Sequence, residues 1–385
     1  MTSPKETQTL IIGGGLNGAF TAFFLARAGH RVTVLEKGFV GAQSSGANFG
    51  NLRLQGRDVR QYPLSMRSQE LWEQLDHLIG DTCEYDRSGH IYLAYNDEDV
   101  SKLEAYAINS RNFGLDIEDV DGAEIRKRFP YLSKNIVAGT YSARDATANP
   151  RLATPAVMRA AKAYGAELIE NCEVLDAKPA PGGFVIETRE HGMFRSEQLV
   201  NAAGAWGGAV ALQFGEETPL FSAGPPQFVT EPLPYFIRPS VQAVAGNVIF
   251  RQISRGNVIV AGYPRTASDL KNQRTVVPPH KTLAGMQSLA EVASILGNAQ
   301  IIRVWSGMEG YLPDMIPIIG PSATTPGLFH AFGCCGHGFQ IAPGVGVVLS
   351  EMILQGGSNT AVGDFSIERF RNAVTAHDKI KKEFD

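Results

Sequence analysis

Cysteine is scarce in this chain, with four in 385 residues. They are Cys83, Cys172, Cys334 and Cys335, and no two have the CxxC spacing. That argues against a zinc site and against a secreted disulfide framework. Long apolar runs are missing too, and no stretch reaches the roughly 18–20 residues of a membrane-spanning helix. Charge of one sign is not in excess: 35 Lys and Arg face 39 Asp and Glu, a net charge of −4. A nucleic-acid partner would need a basic face, so none is expected. The Lys379, Lys381 and Lys382 cluster reads as the solvated side of a terminal helix. Met1 to Gln8 is polar and carries Lys5 and Glu6, unlike a signal or transit peptide. These absences lead us to expect a cytoplasmic, reduced protein without a metal.

The composition that remains, 44% hydrophobic and 19% charged, is that of a globular protein, and the length suits two joined domains. Thr9 to Ile12 reads as a buried strand, followed by three glycines and a helix running to about Ala28. Phe20, Phe23, Phe24 and Ala28 recur at three- and four-residue intervals, giving that helix one apolar face. Gly29 stops it, and Arg31 to Glu36 forms a second strand. Between Tyr235 and Gly262, strand-like runs alternate with turns, which predicts an antiparallel sheet. The last helix is expected from about Pro343 to Leu354, after a glycine-rich turn.

The fold class is therefore α/β, with a Rossmann-type dinucleotide domain interleaved with an α+β substrate domain on a mixed, largely antiparallel sheet. The first domain is expected to take residues 1–80, 145–215 and 325–385. The second takes 81–144 and 216–324.

Gly13-Gly14-Gly15-Leu16-Asn17-Gly18 supplies the G-x-G-x-x-G spacing at Gly13, Gly15 and Gly18. Gly13 permits the tight turn, Gly15 lets backbone approach a pyrophosphate, and Gly18 lets helix pack on strand. The helix N-terminus then faces the phosphates, with Leu16 and Asn17 in its first turn. Glu36 ends the second strand about 20 residues on, where a carboxylate accepts from ribose hydroxyls; Lys37 follows it. NAD would satisfy this unit as well as FAD.

Three later segments favour FAD. Gly41 to Gly50 is rich in small residues and offers Ser44, Ser45, Asn48 and Gly50. Asn201-Ala202-Ala203-Gly204-Ala205-Trp206 is a strand running into a small-residue turn. Gly333-Cys334-Cys335-Gly336-His337-Gly338-Phe339-Gln340 precedes the last helix, whose N-terminal amides suit a flavin's reduced edge.

In this order, and with Trp305-Ser306-Gly307-Met308-Glu309-Gly310-Tyr311-Leu312-Pro313-Asp314, the segments resemble the D-amino-acid oxidase superfamily of FAD proteins. Glycine oxidase, sarcosine oxidase and D-amino-acid dehydrogenases are among its members. Arg53 to Arg57 and the run from Gly310 to Pro317 look most like subunits of opine and hydroxyproline dehydrogenases. The resemblance implies non-covalent FAD across nearly the whole chain. Ala203, Gly204 and Trp206 would lie near it, Val174 would bracket the adenine, and Gly336 to Gln340 would line the ring.

It also implies oxidation of the C–N bond of an amino acid or N-substituted amino acid. Hydride passes to flavin N5, and the resulting imine hydrolyses. The electron acceptor is oxygen, a quinone or a partner iron–sulfur protein; a quinone would put the chain at the membrane periphery. Homo- or hetero-oligomers fit, as does an FAD-binding subunit inactive without its partners. Glycine oxidase-like members carry an arginine for the substrate carboxylate just after the Trp-x-Gly. Here that place holds Glu309, which either grips a cationic group of the substrate or pairs with a nearby arginine. For the carboxylate, Arg53 is the first choice, ahead of Arg251 and Arg303, with Tyr311 and His337 positioning the substrate. The adjacent Cys334 and Cys335 allow a flavin-linked disulfide reductase as an alternative, or are plain packing residues.

Overall fold

The computed structural model describes residues 4–371 apart from 247 and 263. The Lys379, Lys381 and Lys382 cluster lies outside the described residues. The chain opens with the strand Lys5–Ile12, the helix Leu16–Arg27 and the strand Val32–Leu35. The expected βαβ unit is thus present, with its helix ending one residue before the expected stop. Thr9 to Ile12 pair in parallel register with both Val32–Leu35 and Gln198–Asn201. Buried on both faces, these strands are nearly continuous apolar runs, as a covered parallel sheet requires.

That sheet has eight strands, ordered Ile318–Pro321, Leu328–Phe332, Met193–Asn201, Lys5–Ile12, Val32–Leu35, Glu167–Ile169 along its main path. Gly183–Thr188 and Val174–Ala180 branch from it antiparallel. Ile318–Pro321, assigned to the substrate domain by the sequence boundaries, pairs antiparallel with Leu328–Phe332 and belongs to this sheet. The chain leaves Lys5–Ile12 toward one side, while Met193–Asn201 flanks it on the other. Such a reversal opens a crevice at the carboxyl ends of the strands.

The second large sheet runs Ile301–Ser306, Pro226–Pro232, Asn257–Ala261, Ile249–Gln252, Ser240–Ala243, His90–Ala94, Ala138–Ser142, Ile117–Asp121. All its pairings are antiparallel except Ser240–Ala243 with His90–Ala94. The sheet is mixed and largely antiparallel, as expected. A smaller antiparallel sheet, ordered Arg274–Thr275, Thr266–Asp269, Phe221–Gly224, Glu309–Tyr311, carries one wall of the site.

The last helix, Gly338–Gln355, begins five residues earlier than expected and contains Pro343. Proline removes a helical N–H donor and normally breaks the ladder. Here Ser68 enters the opening: its Oγ donates to Gln340 O at 2.5 Å and accepts from Gly344 N at 3.1 Å. Trp72 Nε1 also donates to Gln340 O, at 2.9 Å. The helix is 18 residues long and apolar enough to cross a membrane by length and composition, with 67% of it buried inside the chain. Phe20, Phe23, Trp72, Val345 and Leu349 share its core cluster. Each such side chain stabilises the fold by roughly 1.5–3 kcal/mol relative to exposure.

Candidate active site

A cavity of about 430 Å³ lies at the crevice, within the usual range for small-molecule sites. One end is the glycine loop. Gly13 has φ +110, and a Cβ there would stand 2.4 Å from Ala202 O. A Cβ at Gly18 would stand 2.1 Å from Gly13 O, so helix and loop meet only because it is absent. Gly18 therefore acts behind the wall, while Gly13, Gly15, Leu16 and Asn17 line it.

Glu36 faces the same end. Its Oε2 accepts from Gly14 N at 2.7 Å and its Oε1 from Gly38 N at 2.8 Å. Burial raises its pKa, and the two N–H donors oppose that rise. Lys37 is held at 2.8 Å by Glu173 and stands over the Trp206 ring at 5.8 Å. Val174 lines the cavity beside them. Ser45 Oγ accepts from Leu16 N at 2.9 Å, tying the small-residue loop to the helix start. Ser44 donates to Met308 O across the site. Asn48 Oδ1 accepts from Gly50 N at 2.8 Å, and its Nδ2 donates to Ser45 O at 2.7 Å. Ala203, Gly204 and Trp206 complete this side, and Gly336, Gly338 and Phe339 form the far end.

Glu309 and Tyr311 also line the cavity. They are two apart on one strand, so both side chains leave the same face. Tyr311 Oη donates to Glu309 Oε2 at 2.6 Å. Burial raises the Glu309 pKa, opposed by the Tyr311 hydrogen bond and by Arg265. Arg265 lines the cavity and lies 4.5 Å over the Tyr311 ring. Reading the sequence missed Arg265, which stands in a loop without a motif. Its place is set by pairing: Gly224 is opposite Thr266, while Ala223 is opposite both Ala267 and Glu309.

The other arginines are corrected. Arg251 is buried, donating through Nε to Phe49 O at 3.0 Å and through Nη2 to Ala148 O at 3.3 Å. It holds the backbone behind the cavity and does not line it. Arg53 bonds to Gln55 O and lies 5.5 Å over the Tyr92 ring, also off the wall. Arg303 is exposed on a sheet-edge strand beside Trp305. His337 caps the last helix next to the wall rather than in it. Burial and the guanidinium groups of Arg57, Arg53 and Arg265 push its pKa well below the usual histidine range. Gln340 turns away and donates to Ser65 O at 2.9 Å, because the early helix start rotates it onto the neighbouring helix.

The adjacent cysteines Cys334 and Cys335 line the cavity as well. Burial raises the Cys334 thiol to about 11 and the Cys335 thiol to about 12. Both shifts disfavour the thiolate, which weighs against the disulfide-reductase alternative.

The wall suits FAD along its length: a carboxylate at the ribose position, backbone donors at the helix start, and small residues where a flat ring must lie. A Cβ at Gly15 would close to 3.1 Å of Ser45 Oγ, in the cradle a pyrophosphate needs. The FAD dependent oxidoreductase (DAO) family model matches residues 8–352. The chain belongs to this family. It is 28% identical over 381 residues to mitochondrial dimethylglycine dehydrogenase of Rattus norvegicus, covering 92% of this chain and 44% of that protein. The chain thus spans under half the length of that relative. Glycine oxidase of Geobacillus kaustophilus is 26% identical over 368 residues, covering 93% of this chain and 96% of the relative. Among solved structures, L-proline dehydrogenase from P. horikoshii superposes with a TM-score of 0.89 at 27% identity, covering 96% and 99% of the two chains. FAD is therefore the cofactor of this family member.

Proposed function

We propose that this chain oxidises the C–N bond of an amino acid or N-substituted amino acid. The observation that carries the reading is one cavity in which the dinucleotide loop and a half-buried carboxylate, Glu309, both take part. The relatives, named for dimethylglycine, glycine and proline, support it. Bound FAD supplies the hydride acceptor. The chain's residues orient the donor carbon and shield it from water. Glu36 and the helix start hold the nucleotide end, Met308 and Phe339 form apolar wall, and Tyr311 fixes the Glu309 carboxylate by its hydrogen bond. Hydride leaves a carbon bearing a neutral amine, so a carboxylate next to the nitrogen assists by holding the released proton.

The four cysteines are free thiols, which suits a reducing cytoplasm. The test is flavin bleaching without oxygen by amino acids, N-alkyl amino acids and opines. Bleaching by the isolated chain supports the enzyme. No bleaching across the panel favours instead an FAD-binding subunit of an opine or D-amino-acid dehydrogenase that needs partner chains. Readmitting oxygen then separates oxidase from dehydrogenase.

A further inference from the structure

We infer that Arg369 is a positioning residue for this site: clamped on the turn that follows Glu309 and Tyr311, its guanidinium keeps the Tyr311 hydroxyl on the Glu309 carboxylate. The inference rests on the reading above, in which Glu309 takes up the released proton, and extends it to a residue outside the cavity.

The turn is strained. Leu312 to Ile316 carries the chain from Glu309–Tyr311 in the small sheet to Ile318–Pro321 in the eight-stranded sheet. Within it Met315 has φ +57, a left-handed conformation that a side chain makes costly. Such a residue persists only where its surroundings over-determine it. Met315 N donates to Leu312 O at 3.0 Å, and Ile316 N to Asp314 Oδ1 at 3.2 Å. The remaining hold comes from Arg369, 55 positions beyond Asp314.

Arg369 lies in the short turn Ile367–Phe370. Its Nε donates to Asp314 Oδ2 at 2.8 Å, and its Nη2 to Asp314 Oδ1 at 3.5 Å and Ile316 O at 2.6 Å. Its Nη1 donates to Phe365 O and Ser366 O, each at 3.0 Å. Every N–H of this rigid fork meets an oxygen, so one side chain ties the two segments together. The Arg369 and Asp314 side chains are 18% and 29% exposed, so this is no solvated surface pair. Neither residue lines the cavity.

Packing carries the clamp to the site. Ile367 and Phe370 share a buried cluster with Leu312 and with Tyr311, Phe332 and Cys335, and the last three line the cavity. Leu312 N donates to Cys335 Sγ at 3.3 Å, and Cys335 N to Gly310 O at 3.1 Å, which links turn, strand and glycine-rich loop. Tyr311 immediately precedes the clamped turn, and its hydroxyl reaches Glu309 Oε2 at 2.6 Å. The charged and titratable groups bearing on Glu309 are Tyr311 on its own strand, Arg265 at the head of Thr266–Asp269, and Cys334 and Cys335 on the loop. Asp314 in turn faces Arg60 and Cys335. Arg369 is not among the charges on Glu309, so it acts through the placement of Tyr311.

The test titrates Glu309 in FAD-loaded, oxidised protein without substrate. The signal is the infrared band of its protonated carboxyl, assigned by its loss in Glu309→Gln. Arg369→Met keeps the length of the side chain and removes its donors. A displaced hydroxyl favours the ionised carboxylate less, so the midpoint should rise by about half a pH unit to one unit. Arg369→Lys, which keeps a charge for Asp314, should recover part of the shift. In Tyr311→Phe the same substitution should add nothing, because the hydroxyl is already gone. Leu103→Ala, in a buried cluster without cavity residues, should lower the melting temperature and leave the midpoint in place. Flavin content and melting temperature establish folding; if Arg369→Met does not fold, Asp314→Asn takes its place. An unmoved or lowered midpoint, an equal shift in Leu103→Ala, a full further shift on Tyr311→Phe, or a Glu309 band that never titrates overturns the positioning role. Amine bleaching with an unmoved midpoint leaves only the oxidation reading standing. The shift without any bleaching leaves only the clamp.

Discussion

His330 Nε2 lies 2.8 Å from Glu216 Oε2, with both side chains closed to solvent. Glu216 also accepts from Ser322 Oγ at 2.8 Å and from Ala323 N at 2.6 Å. On the other side of the ring, Asn201 Nδ2 donates to Gly207 O at 2.8 Å and approaches His330 Nδ1 at 3.3 Å. An amide nitrogen only donates, so Nδ1 accepts and Nε2 carries the hydrogen given to Glu216. The chain Glu216, His330, Asn201 thus props the turn at Ala203 to Trp206 from behind the cofactor cavity.

His330→Ala should destabilise the protein by about 1.5–3 kcal/mol, since it removes one of the hydrogen-bond donors to the buried Glu216 carboxylate. Urea denaturation checks this. Burial alone would raise the Glu216 pKa, but the bonds from His330, Ser322 and Ala323 hold it below the usual glutamate range. A lowered folded pKa gives stability that is present above the unfolded value and lost as pH falls through the folded one. The deficit of the variant should therefore be largest near neutrality and shrink in acid. A deficit independent of pH would contradict the assignment.

Gly18→Ala should abolish tight FAD binding. Its Cβ would meet Gly13 O at 2.1 Å, a contact only backbone movement can relieve. The flavin absorbance of purified protein, relative to its protein absorbance, reads the outcome directly. Full flavin occupancy would show that helix and loop do not pack as described.

Glu36→Ala removes the acceptor for Gly14 N and Gly38 N as well as the proposed ribose contact. Charge-assisted hydrogen bonds contribute roughly 1.5–3 kcal/mol, so FAD affinity should fall by about 10- to 100-fold. Titration of apoprotein with FAD measures it, and the melting temperature without FAD separates the structural share.

Tyr311→Phe takes from Glu309 the hydroxyl donor that favours its ionised form. Burial already raises that carboxyl, so it should titrate at still higher pH in the variant. The proposed proton acceptance by Glu309 needs the ionised form, so flavin bleaching by an amine substrate is lost as pH falls through the Glu309 pKa. The midpoint of that loss should therefore move upward in the variant. An unmoved or lowered midpoint would mean that the hydroxyl does not hold the carboxylate.

The cofactor end was legible because its residues are close in sequence and each spacing has a local cause. Gly13, Gly15, Gly18 and Glu36 act within a single βαβ unit, whose strands and helix follow from apolar periodicity. The substrate end was legible only in part. Glu309 stood out as a departure from a motif, and its strand does place it in the cavity. Arg265 carried no such mark: its position depends on pairing among Phe221–Gly224, Thr266–Asp269 and Glu309–Tyr311, which no local pattern records. Arg251 misled because position on a strand does not reveal whether a buried guanidinium meets a ligand or, as here, the Phe49 and Ala148 carbonyls. Gln340 misled because Pro343 suggested a helix start. The Ser68 hydroxyl that carries the helix past that proline comes from a distant segment.

The most direct test of C–N oxidation is the flavin spectrum of the purified, FAD-loaded chain under anaerobic conditions. Amino acids and N-alkyl amino acids should be added one at a time, with the matching hydroxy acids as controls. The account predicts that at least one amine substrate bleaches the flavin and yields the corresponding oxo acid, while its hydroxy counterpart leaves the spectrum oxidised. Bleaching by hydroxy acids but by no amine would contradict it.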